Sequence, residues 1–298
     1  MPLRPTAFLL SVIIALSCAQ VAWGESDALR HDLERAFSGW RTAIATRNLA
    51  NWKENTASFR QVEIRNMIVS QKQPFPQALF DFPLHAPEPG TLRFLKAEAK
   101  GPTAVALYFG RIEVGIPDAG EIPENLLLLK FVNESGRWKF DTMRLVNLAS
   151  APEVRTSLKS GGSLGDLNSP EFEPSGVVPP TPKLCQAPDH VAALQIASLG
   201  YATLPKVNGF ALTPVADAAE QQIIVGGLKA GENTLTLEIK PTPVAEGSAR
   251  HLEVNAVVLT GVESKPSIRV FTWRPPTSSA PPFTEQKIIV NKITLRGD

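Results

Sequence analysis

The residues able to do acid–base chemistry in this chain are few. Of 298 residues, only four are histidine and two are tyrosine. Asp141 on a predicted strand and His85 in a proline-rich loop could act as acid and base if the fold brought them to one cavity. The alternative, which the pattern favours, is a solvated strand residue and a loop residue. The sequence therefore predicts no catalytic residue.

Metal ligands and nucleophiles are not indicated either. The four histidines are His31, His85, His190 and His251. They lack the short spacings that bring metal ligands onto one face of an element. Cys185 lies beside Pro188 with no helix terminus to activate its thiol, so an inert or modifiable thiol is expected rather than a catalytic one. Without a Gly-x-Ser-x-Gly elbow or a glycine-rich phosphate loop, we expect neither metal nor cofactor.

Tryptophan is the residue type best suited to ligand binding here. Trp40, Trp52 and Trp138 could line a pocket, although filling a core is the role that the pattern favours. The segment Trp273-Arg-Pro-Pro276 has two alternatives. It is either an exposed aromatic platform for sugar or peptide, or the end of a strand at a sheet edge.

The elements that must position these tryptophans begin with an amphipathic helix. Its apolar residues recur at steps of three and four, namely Leu29, Leu33, Phe37, Trp40 and Ile44. Ser26 or Asp27 is expected to cap its start. The charged residues expected to face water are Arg30, Asp32, Glu34, Arg35 and Arg41. Gly39 suggests close packing against a neighbour. A turn at Asn48 leads to a second short helix, and a third follows over residues 59–69.

The period then changes to that of strands. Residues 92–99, 103–114, 125–132 and 137–146 are predicted as four strands. Asn133-Glu-Ser-Gly136 predicts a hairpin, and the apolar run Leu126–Leu129 predicts a strand covered on both faces. Because the sheet needs an apolar cover, we expect the helix stripe to pack on it. Residues 25–150 are therefore predicted as an α+β domain, with helices packed on a curved antiparallel sheet.

Three short motifs carry a family resemblance: Phe37-x-x-Trp40, Arg47-Asn-Leu-Ala-Asn-Trp52 and Gly136-Arg-Trp-Lys-Phe140. In these motifs, residues 26–148 resemble the NTF2-like (SnoaL-like) cone fold. The resemblance implies either an isomerase or dehydratase, or a module that binds small molecules or assembles. Enzymes of that family use an Asp, His or Tyr projecting into the cone. Tyr108 lies in an apolar strand, and no residue is identified as the counterpart.

The second half of the chain predicts an all-β domain behind a linker. Residues 151–188 are rich in proline and glycine and are expected to be a linker that contains a domain boundary. Seven strands are predicted within the following 189–298 domain, at residues 193–199, 201–212, 221–228, 233–240, 251–261, 267–274 and 286–295. This spacing is typical of an antiparallel β-sandwich. The run Gly227–Asn233 resembles a turn common in jelly-roll and galactose-binding-like sandwiches and is expected to be structural.

The N-terminus predicts export. Residues 1–24 have the pattern of a signal peptide, with Arg4, an apolar run and the small residues of Ala22-Trp-Gly24. A lipid anchor at Cys18 is the less favoured alternative, because Ala15-Leu-Ser-Cys18 has alanine where a lipoprotein box prefers leucine. Cleavage leaves Cys185 as a single thiol, so no internal disulfide can form. We expect a secreted or periplasmic protein of a bacterial envelope, without a transmembrane segment.

Charge and architecture together predict a binding protein. The net charge of +1 argues against nucleic acid or an anionic surface as partner. We expect an exported, non-catalytic, two-domain envelope protein that binds a small ligand, a partner protein or a cell-wall glycan. One alternative is an NTF2-like isomerase or dehydratase acting on a small hydrophobic substrate in the cone. The other is a purely structural tether.

Overall fold

The chain folds into two units, each built on antiparallel sheet. A computed structural model describes residues 8–81, 86–112, 124–149, 151–162, 170–245, 248–262, 264–276 and 279–296, with side chains from Asp27 onward except that of Lys265. Unit 1 comprises Met1–Gln61 and Phe80–Thr181, and unit 2 comprises Val62–Leu79 and Pro182–Asp298. The described residues are rich in strand and contain few helices, which is consistent with the predicted combination of an α+β and an all-β fold. Among the described residues, no helix combines the length and apolarity needed to cross a membrane.

The unit boundaries differ from the predicted domain boundaries. Unit 1 takes in residues 151–181 of the predicted linker, and unit 2 takes in residues 62–79 of the predicted first domain. The second difference has a visible cause in the side chain of Asn66. Its amide nitrogen donates to the Lys183 carbonyl at 2.8 Å and its oxygen accepts the Cys185 N–H at 3.0 Å. These two hydrogen bonds hold Asn66 against residues 183–185, at the start of the second segment of unit 2.

In the described part of the chain, four α-helices and the 3₁₀ helix Pro89–Thr91 precede the first strand. The α-helices are α1 (Phe8–Ala45), α2 (Leu49–Asn55), α3 (Ser58–Ser70) and α4 (Gln77–Asp81). The predicted cap at Ser26 or Asp27 is wrong, because α1 already begins at Phe8 and the chain from there to residue 23 contains neither glycine nor proline. The turn predicted at Asn48 is confirmed. Its side chain accepts the Asn51 N–H at 3.0 Å and so caps α2.

The four predicted strands of unit 1 are confirmed, except that the second ends at Arg111 and the predicted residues 113–114 lie outside the described residues. The strands are β1 (Arg93–Lys100), β2 (Thr103–Arg111), β3 (Glu124–Glu134) and β4 (Arg137–Val146), and they pair antiparallel in chain order. The predicted hairpin joins β3 to β4. Its two turn residues, Ser135 and Gly136, have φ of 54° and 82°, as a type I′ turn requires. This geometry fixes the register of Glu134 opposite Arg137.

The run Leu126–Leu129 of β3 is buried on both faces, as predicted. Leu126 and Leu128 pack with Leu158 and Phe172 in one cluster. Leu158 belongs to helix α5 (Pro152–Lys159), which the sequence did not predict. Residues 152–172 therefore include a second apolar cover for the sheet. The predicted linker thus contains a helix, whose Leu158 packs on the leucines of β3.

The other face of the sheet is covered by α1. The ring of Phe37 stacks on Trp40 with centroids 5.5 Å apart, and Trp40 lies 4.4 Å from Phe140 of β4. Phe140 in turn contacts Phe131 of β3 edge-on at 6.0 Å. All four rings are buried, so the predicted helix stripe does cover the sheet. Aromatic side chains fill the space between helix and sheet at this level.

The start of α3 is held by the β3–β4 hairpin. The Glu134 carboxylate accepts the backbone N–H and the hydroxyl of Ser58, both at 2.7 Å, and pairs with Lys139 at 2.9 Å. Burial alone would raise the pKa of Glu134, but the two hydrogen bonds from Ser58 and the Lys139 charge outweigh it and hold the pKa below its usual range. Glu134 is therefore ionised at neutral pH and complements the helix N-terminus.

Unit 2 contains two sheets that share one apolar core. Its strands are β5 (Ala192–Leu199), β6 (Tyr201–Val207), β7 (Phe210–Ala211), β8 (Val215–Ala216), β9 (Ala219–Ile223), β10 (Gly231–Pro241), β11 (His251–Val262), β12 (Lys265–Trp273) and β13 (Phe283–Val290). One sheet has the order β13-β10-β6-β7 with β8 beside β6, and the other has β12-β11-β5-β9. Leu194, Leu237 and Val254 represent the shared core. This is compatible with the predicted β-sandwich.

Three predicted strands of unit 2 end differently in the structure. The strand predicted over residues 221–228 is β9, which ends at Ile223. Residues 201–212 are interrupted by a hairpin at Asn208-Gly209, whose φ values of 51° and 79° fit a type I′ turn. The Asn-Gly pair is the sequence signal for such a turn. The last strand is β13, which starts earlier than predicted, and Thr294–Arg296 forms a 3₁₀ helix.

Candidate functional site

A cleft in unit 1 is the candidate binding site. It has a volume of about 140 Å³ and lies where α1, α2 and the β3–β4 hairpin meet. The residues that line it are Asp32, Arg35, Ala36, Asn55, Gly136, Arg137 and Trp138. Sites for drug-sized ligands usually have about 300–1,000 Å³. A cleft of this size therefore suits one ring or one terminal group of a larger molecule.

The α1 wall of the cleft carries opposite charges. Asp32 and Arg35 lie one turn apart and form an ion pair at 2.9 Å, with 78% of the Arg35 side chain exposed. Such exposed pairs contribute little to stability, typically below about 1 kcal/mol. The Arg35 guanidinium can therefore exchange Asp32 for another anion at small cost. The prediction that these two residues face water is confirmed by their exposure.

The hairpin wall adds a second guanidinium and an indole. The tight turn places Arg137 and Trp138 directly after Gly136, at the start of β4. Arg137 pairs with Glu54 of α2 at 2.5 Å, and more than half of each side chain is exposed. Trp138 is half-buried. The lining therefore contains two guanidinium groups, and each is paired with an exposed carboxylate, Arg35 with Asp32 and Arg137 with Glu54.

Asn55 forms the buried part of the cleft and depends on Gly39. The Asn55 amide donates to the Asn51 carbonyl at 2.9 Å and to the Asn51 side chain at 2.7 Å. A Cβ atom at position 39 would lie 2.5 Å from the Asn55 oxygen. Gly39 thus permits the close approach that the sequence suggested, against the usual cost of glycine in a helix.

We expect Gly39→Ala to destabilise the protein by about 1 kcal/mol, although alanine normally favours a helix over glycine by about that amount. The reason is that the new methyl group displaces the Asn55 side chain from its hydrogen bonds. Urea denaturation measures the change. In an Asn55→Ala background, the same substitution should stabilise instead, by about 0.8–1 kcal/mol. Equal effects of Gly39→Ala in both backgrounds would contradict the proposed contact.

A second polar cluster joins α1 to the sheet. The hydroxyl of Tyr108 donates to the Glu34 carboxylate at 3.0 Å, and Arg30 pairs with the same oxygen at 2.9 Å. The Arg30 guanidinium also lies 4.3 Å from the centre of the Phe94 ring, which meets Tyr108 edge-on. Glu34 and Arg30 are only partly exposed, so the prediction that they face water is wrong. They sit at the border of the apolar stripe, close enough to reach Tyr108.

The titration of this cluster is set by burial and by Glu34. Burial, followed by the nearby Glu34 carboxylate and its hydrogen bond, raises the pKa of the Tyr108 phenol far above its usual value of 10.0. The hydrogen bond to Glu34 raises the pKa of the Arg30 guanidinium, against the opposing effect of burial. Tyr108 is therefore a neutral donor at physiological pH. Tyr108 and Arg30 both contact Glu34, and both also contact the Phe94 ring.

The acid–base candidates of the sequence are not brought together in the described structure. Asp141 forms an ion pair with Arg60 of α3 at 2.7 Å and is largely buried. The prediction of a solvated strand residue is therefore wrong for Asp141, which serves as a partner for Arg60. His85 lies outside the described residues. Arg60 also lies over the Phe59 ring, which makes this pair part of the α3 packing.

The tryptophans separate into core and cleft residues. Trp40 and Trp52 are buried in unit 1, whereas Trp138 lines the cleft. Trp273 is 9% exposed and packs in the unit 2 core at the end of edge strand β12, so the exposed platform was wrong and the strand-end alternative is confirmed. The adjacent Arg274 contacts Glu253 through two nitrogens, at 2.7 and 2.9 Å.

The remaining candidates of the sequence are dispersed. Cys185 is 3% exposed, with its thiol 3.7 Å from the Ser70 hydroxyl, so it is buried rather than open to modification. His31 and His251 are exposed, and the backbone of His190 bridges to Leu228. The described residues contain no group of three or more His, Cys, Asp or Glu able to hold a metal ion.

Of the cleft residues, the sequence suggested only Trp138 as a possible pocket residue, and the others were missed because their elements are far apart in the chain. Arg35 and Arg137 are separated by about a hundred positions, and the motif that contains Arg137 indicated only a fold. The only available signal was the hairpin turn, which fixes where Arg137 and Trp138 emerge. Comparison with protein-family models, with curated proteins and with solved structures finds no match for the chain.

Proposed function

We propose that the protein is an exported, non-catalytic, two-domain protein of the bacterial envelope and that it binds its ligand in the cleft of unit 1. The observation that carries this proposal is the lining of the cleft. Two exposed guanidinium groups and a half-buried indole converge on a space for one ring or terminal group. The NTF2-like resemblance agrees with a binding role, because the resemblance implies many members that only bind. The aromatic packing beneath α1 also favours binding outside the cone.

The chemistry of the lining indicates a ligand that carries a carboxylate next to a ring. Guanidinium groups bind carboxylates through two parallel hydrogen bonds. The apolar face of an indole packs against the apolar face of a ring. Fragments of bacterial cell-wall glycan contain both parts, since their sugars bear carboxylate-containing peptides. Among the ligands expected from the sequence, this class therefore fits the cleft best.

A titration with a disaccharide-peptide fragment of peptidoglycan tests the proposal. We expect the indole N–H resonance of Trp138 to shift, with affinity in the micromolar to millimolar range for a site of this size. An Arg35→Glu/Arg137→Glu variant should bind at least about tenfold more weakly, because each lost charge-assisted hydrogen bond is worth roughly 1.5–3 kcal/mol. Both arginines form only exposed ion pairs, so the fold should be retained.

Lys206→Glu is the matched control for this titration. Lys206 forms an exposed ion pair with Glu238 of unit 2 at 2.7 Å and is not part of the cleft. Its substitution should leave binding unchanged. A wild-type protein that does not bind the fragment, or a double variant that binds as well as wild type, would exclude this ligand class.

A second candidate function is an NTF2-like isomerase or dehydratase. The observation that favours it is the hydrogen bond between Tyr108 and Glu34, which places a neutral phenol and a carboxylate between helix and sheet. The phenol has one proton and could donate it to a substrate carbonyl if the substrate replaced Glu34 as the acceptor. Ligand-observed NMR with small hydrophobic ketones would test the idea. Binding that is lost in Tyr108→Phe would favour the enzyme, and absence of binding would remove it.

A further inference from the structure

The outer strand of the larger unit 2 sheet has an open edge. Strand β13 ends the order β13-β10-β6-β7 and, among the described strands, pairs only with β10. Its outward-facing residues include two apolar side chains, Phe283 with 55% and Ile289 with 40% exposure. Open edges of this kind are templates for pairing with another strand. The free edge of β13 is therefore a candidate site for pairing with a further strand.

The register of β13 shows which backbone groups face the open edge. The Pro282 carbonyl accepts the Ile239 N–H of β10 at 2.8 Å. Because hydrogen-bonding direction alternates along an antiparallel strand, Thr284, Gln286 and Ile288 also direct their backbone groups to β10. The intervening residues are Phe283, Glu285, Lys287 and Ile289. These four direct their N–H and C=O groups outward, and all four side chains are exposed.

The four outward residues form a pattern that is complementary to itself. Two apolar residues, Phe283 and Ile289, flank two residues of opposite charge, Glu285 and Lys287. If a second β13 pairs antiparallel about Gln286, Phe283 lies opposite Ile289 and Glu285 lies opposite Lys287, each pair occurring twice. Apolar and opposite-charge pairs of this kind stabilise antiparallel strands. The backbone parity agrees, since each of these pairs joins residues whose N–H and C=O groups face the edge.

We propose that β13 is a homodimerisation edge and that two copies of the chain join their larger unit 2 sheets into one continuous sheet. The symmetry is a two-fold axis through Gln286, which makes the interface isologous. Lysine on an edge strand usually prevents pairing. Here Lys287, already paired with Glu232 at 3.0 Å, gains the partner copy's carboxylate at position 285 as a second anion. A second copy always supplies this matched pattern, which is why it is the occupant.

Charge reversal tests the dimer. The full chain is expressed with its own N-terminus in a bacterial host and examined by sedimentation equilibrium. We expect wild type to be a dimer, and Glu285→Lys and Lys287→Glu each to be monomers, because each substitution places like charges opposite one another twice. Mixing the two variants in equal amounts should restore a dimer, since positions 285 and 287 of the two different chains then carry opposite charges in both pairs.

Three results would overturn the proposal: a monomeric wild type, dimeric single variants, or variants that stay monomeric when mixed. A cooperative melting transition and a wild-type circular dichroism spectrum exclude unfolding as the cause, and the restored heterodimer shows it independently. Both substitutions lie on an exposed face, so the fold should tolerate them.

Cysteine cross-linking tests the register. Gln286 would face its own copy across the axis in a pair without backbone hydrogen bonds, where Cα atoms lie about 4.5 Å apart. This distance lies within the range of disulfides, about 4.4–6.8 Å. We expect Gln286→Cys to form a covalent dimer on mild oxidation and Thr284→Cys, which would face Ile288, to form none. The buried Cys185 should not interfere. Equal cross-linking of both variants, or of neither, contradicts the proposed pairing.

Discussion

Replacing Phe140 with alanine is expected to lower the free energy of unfolding by about 3–5 kcal/mol, the usual cost of deleting a buried phenylalanine ring. Phe140 is the ring on which the packing beneath α1 converges. It contacts Phe37 at 5.1 Å, Trp40 at 4.4 Å and Phe131 at 6.0 Å between ring centroids. Its carbonyl also accepts the Ala57 N–H at 2.8 Å, so its backbone position is fixed while the side chain is lost.

The same variant tests whether the space between α1 and the sheet is filled. An apolar cavity left by a deleted ring can bind a small aromatic molecule. We expect benzene or indole to raise the melting temperature of Phe140→Ala and to leave that of wild type unchanged, because a ligand stabilises only the state that binds it. Phe140→Leu is the control and should cost less and bind less. Equal stabilisation of wild type would indicate room inside the cone and would favour the enzyme alternative.

The parts of unit 1 that the sequence predicts correctly are those with local signals. The stripe containing Phe37 and Trp40 follows helical spacing, and its burial against the sheet needs only the rule that apolar faces pack together. The hairpin at Ser135-Gly136 is equally local, since few residues other than glycine adopt positive φ without strain. The same kind of signal at Asn208-Gly209 was available for unit 2 and marks the interruption of the strand predicted over residues 201–212.

The sequence predictions fail for segments whose burial depends on contacts with residues far away in the chain. Helix α5 has only Val154 and Leu158 on its apolar face, too few for a periodic signal in a segment rich in proline and glycine. Its burial is set by the leucines of β3, some thirty positions earlier. The sequence left Trp273 as either an exposed platform or a strand end, and its burial comes from the shared core of the two sheets. In each case the burial of one segment depends on a distant partner.

The candidate site was beyond sequence reasoning for a further reason. Arg35 and Arg137 form part of a site only because a cleft lies between their elements. The shape of that cleft depends on how closely Asn55 packs against Gly39. The Tyr108–Glu34 hydrogen bond likewise depends on the rotation of α1 about its axis. Glu34 follows Leu33, and one helical step of about 100° separates the buried stripe from its border. Small rotations therefore decide whether such a residue meets solvent or the sheet.

Asn66→Ala is expected to lower the stability of residues 183–185, at the start of the second segment of unit 2, and to expose Cys185. Asn66 is 2% exposed, and its amide binds the carbonyl of Lys183 and the N–H of Cys185 on either side of Leu184. It therefore pairs with this segment as a strand would. Its removal leaves the buried Cys185 N–H without an acceptor, at a cost of about 1–3 kcal/mol, and loses a second hydrogen bond worth about 1 kcal/mol. We expect a total of about 2–4 kcal/mol.

Thiol labelling gives a local readout of this change. In a Cys18→Ser background Cys185 is the only thiol of the chain, and its sulfur donates to the Asn66 carbonyl at 3.5 Å in the closed state. Labelling requires local opening, so a loss of about 3 kcal/mol should accelerate it on the order of 100-fold. Met67→Ala is the matched control, because Met67 is the next residue of α3 and is exposed. Similar labelling rates in the two variants would show that Asn66 does not hold residues 183–185.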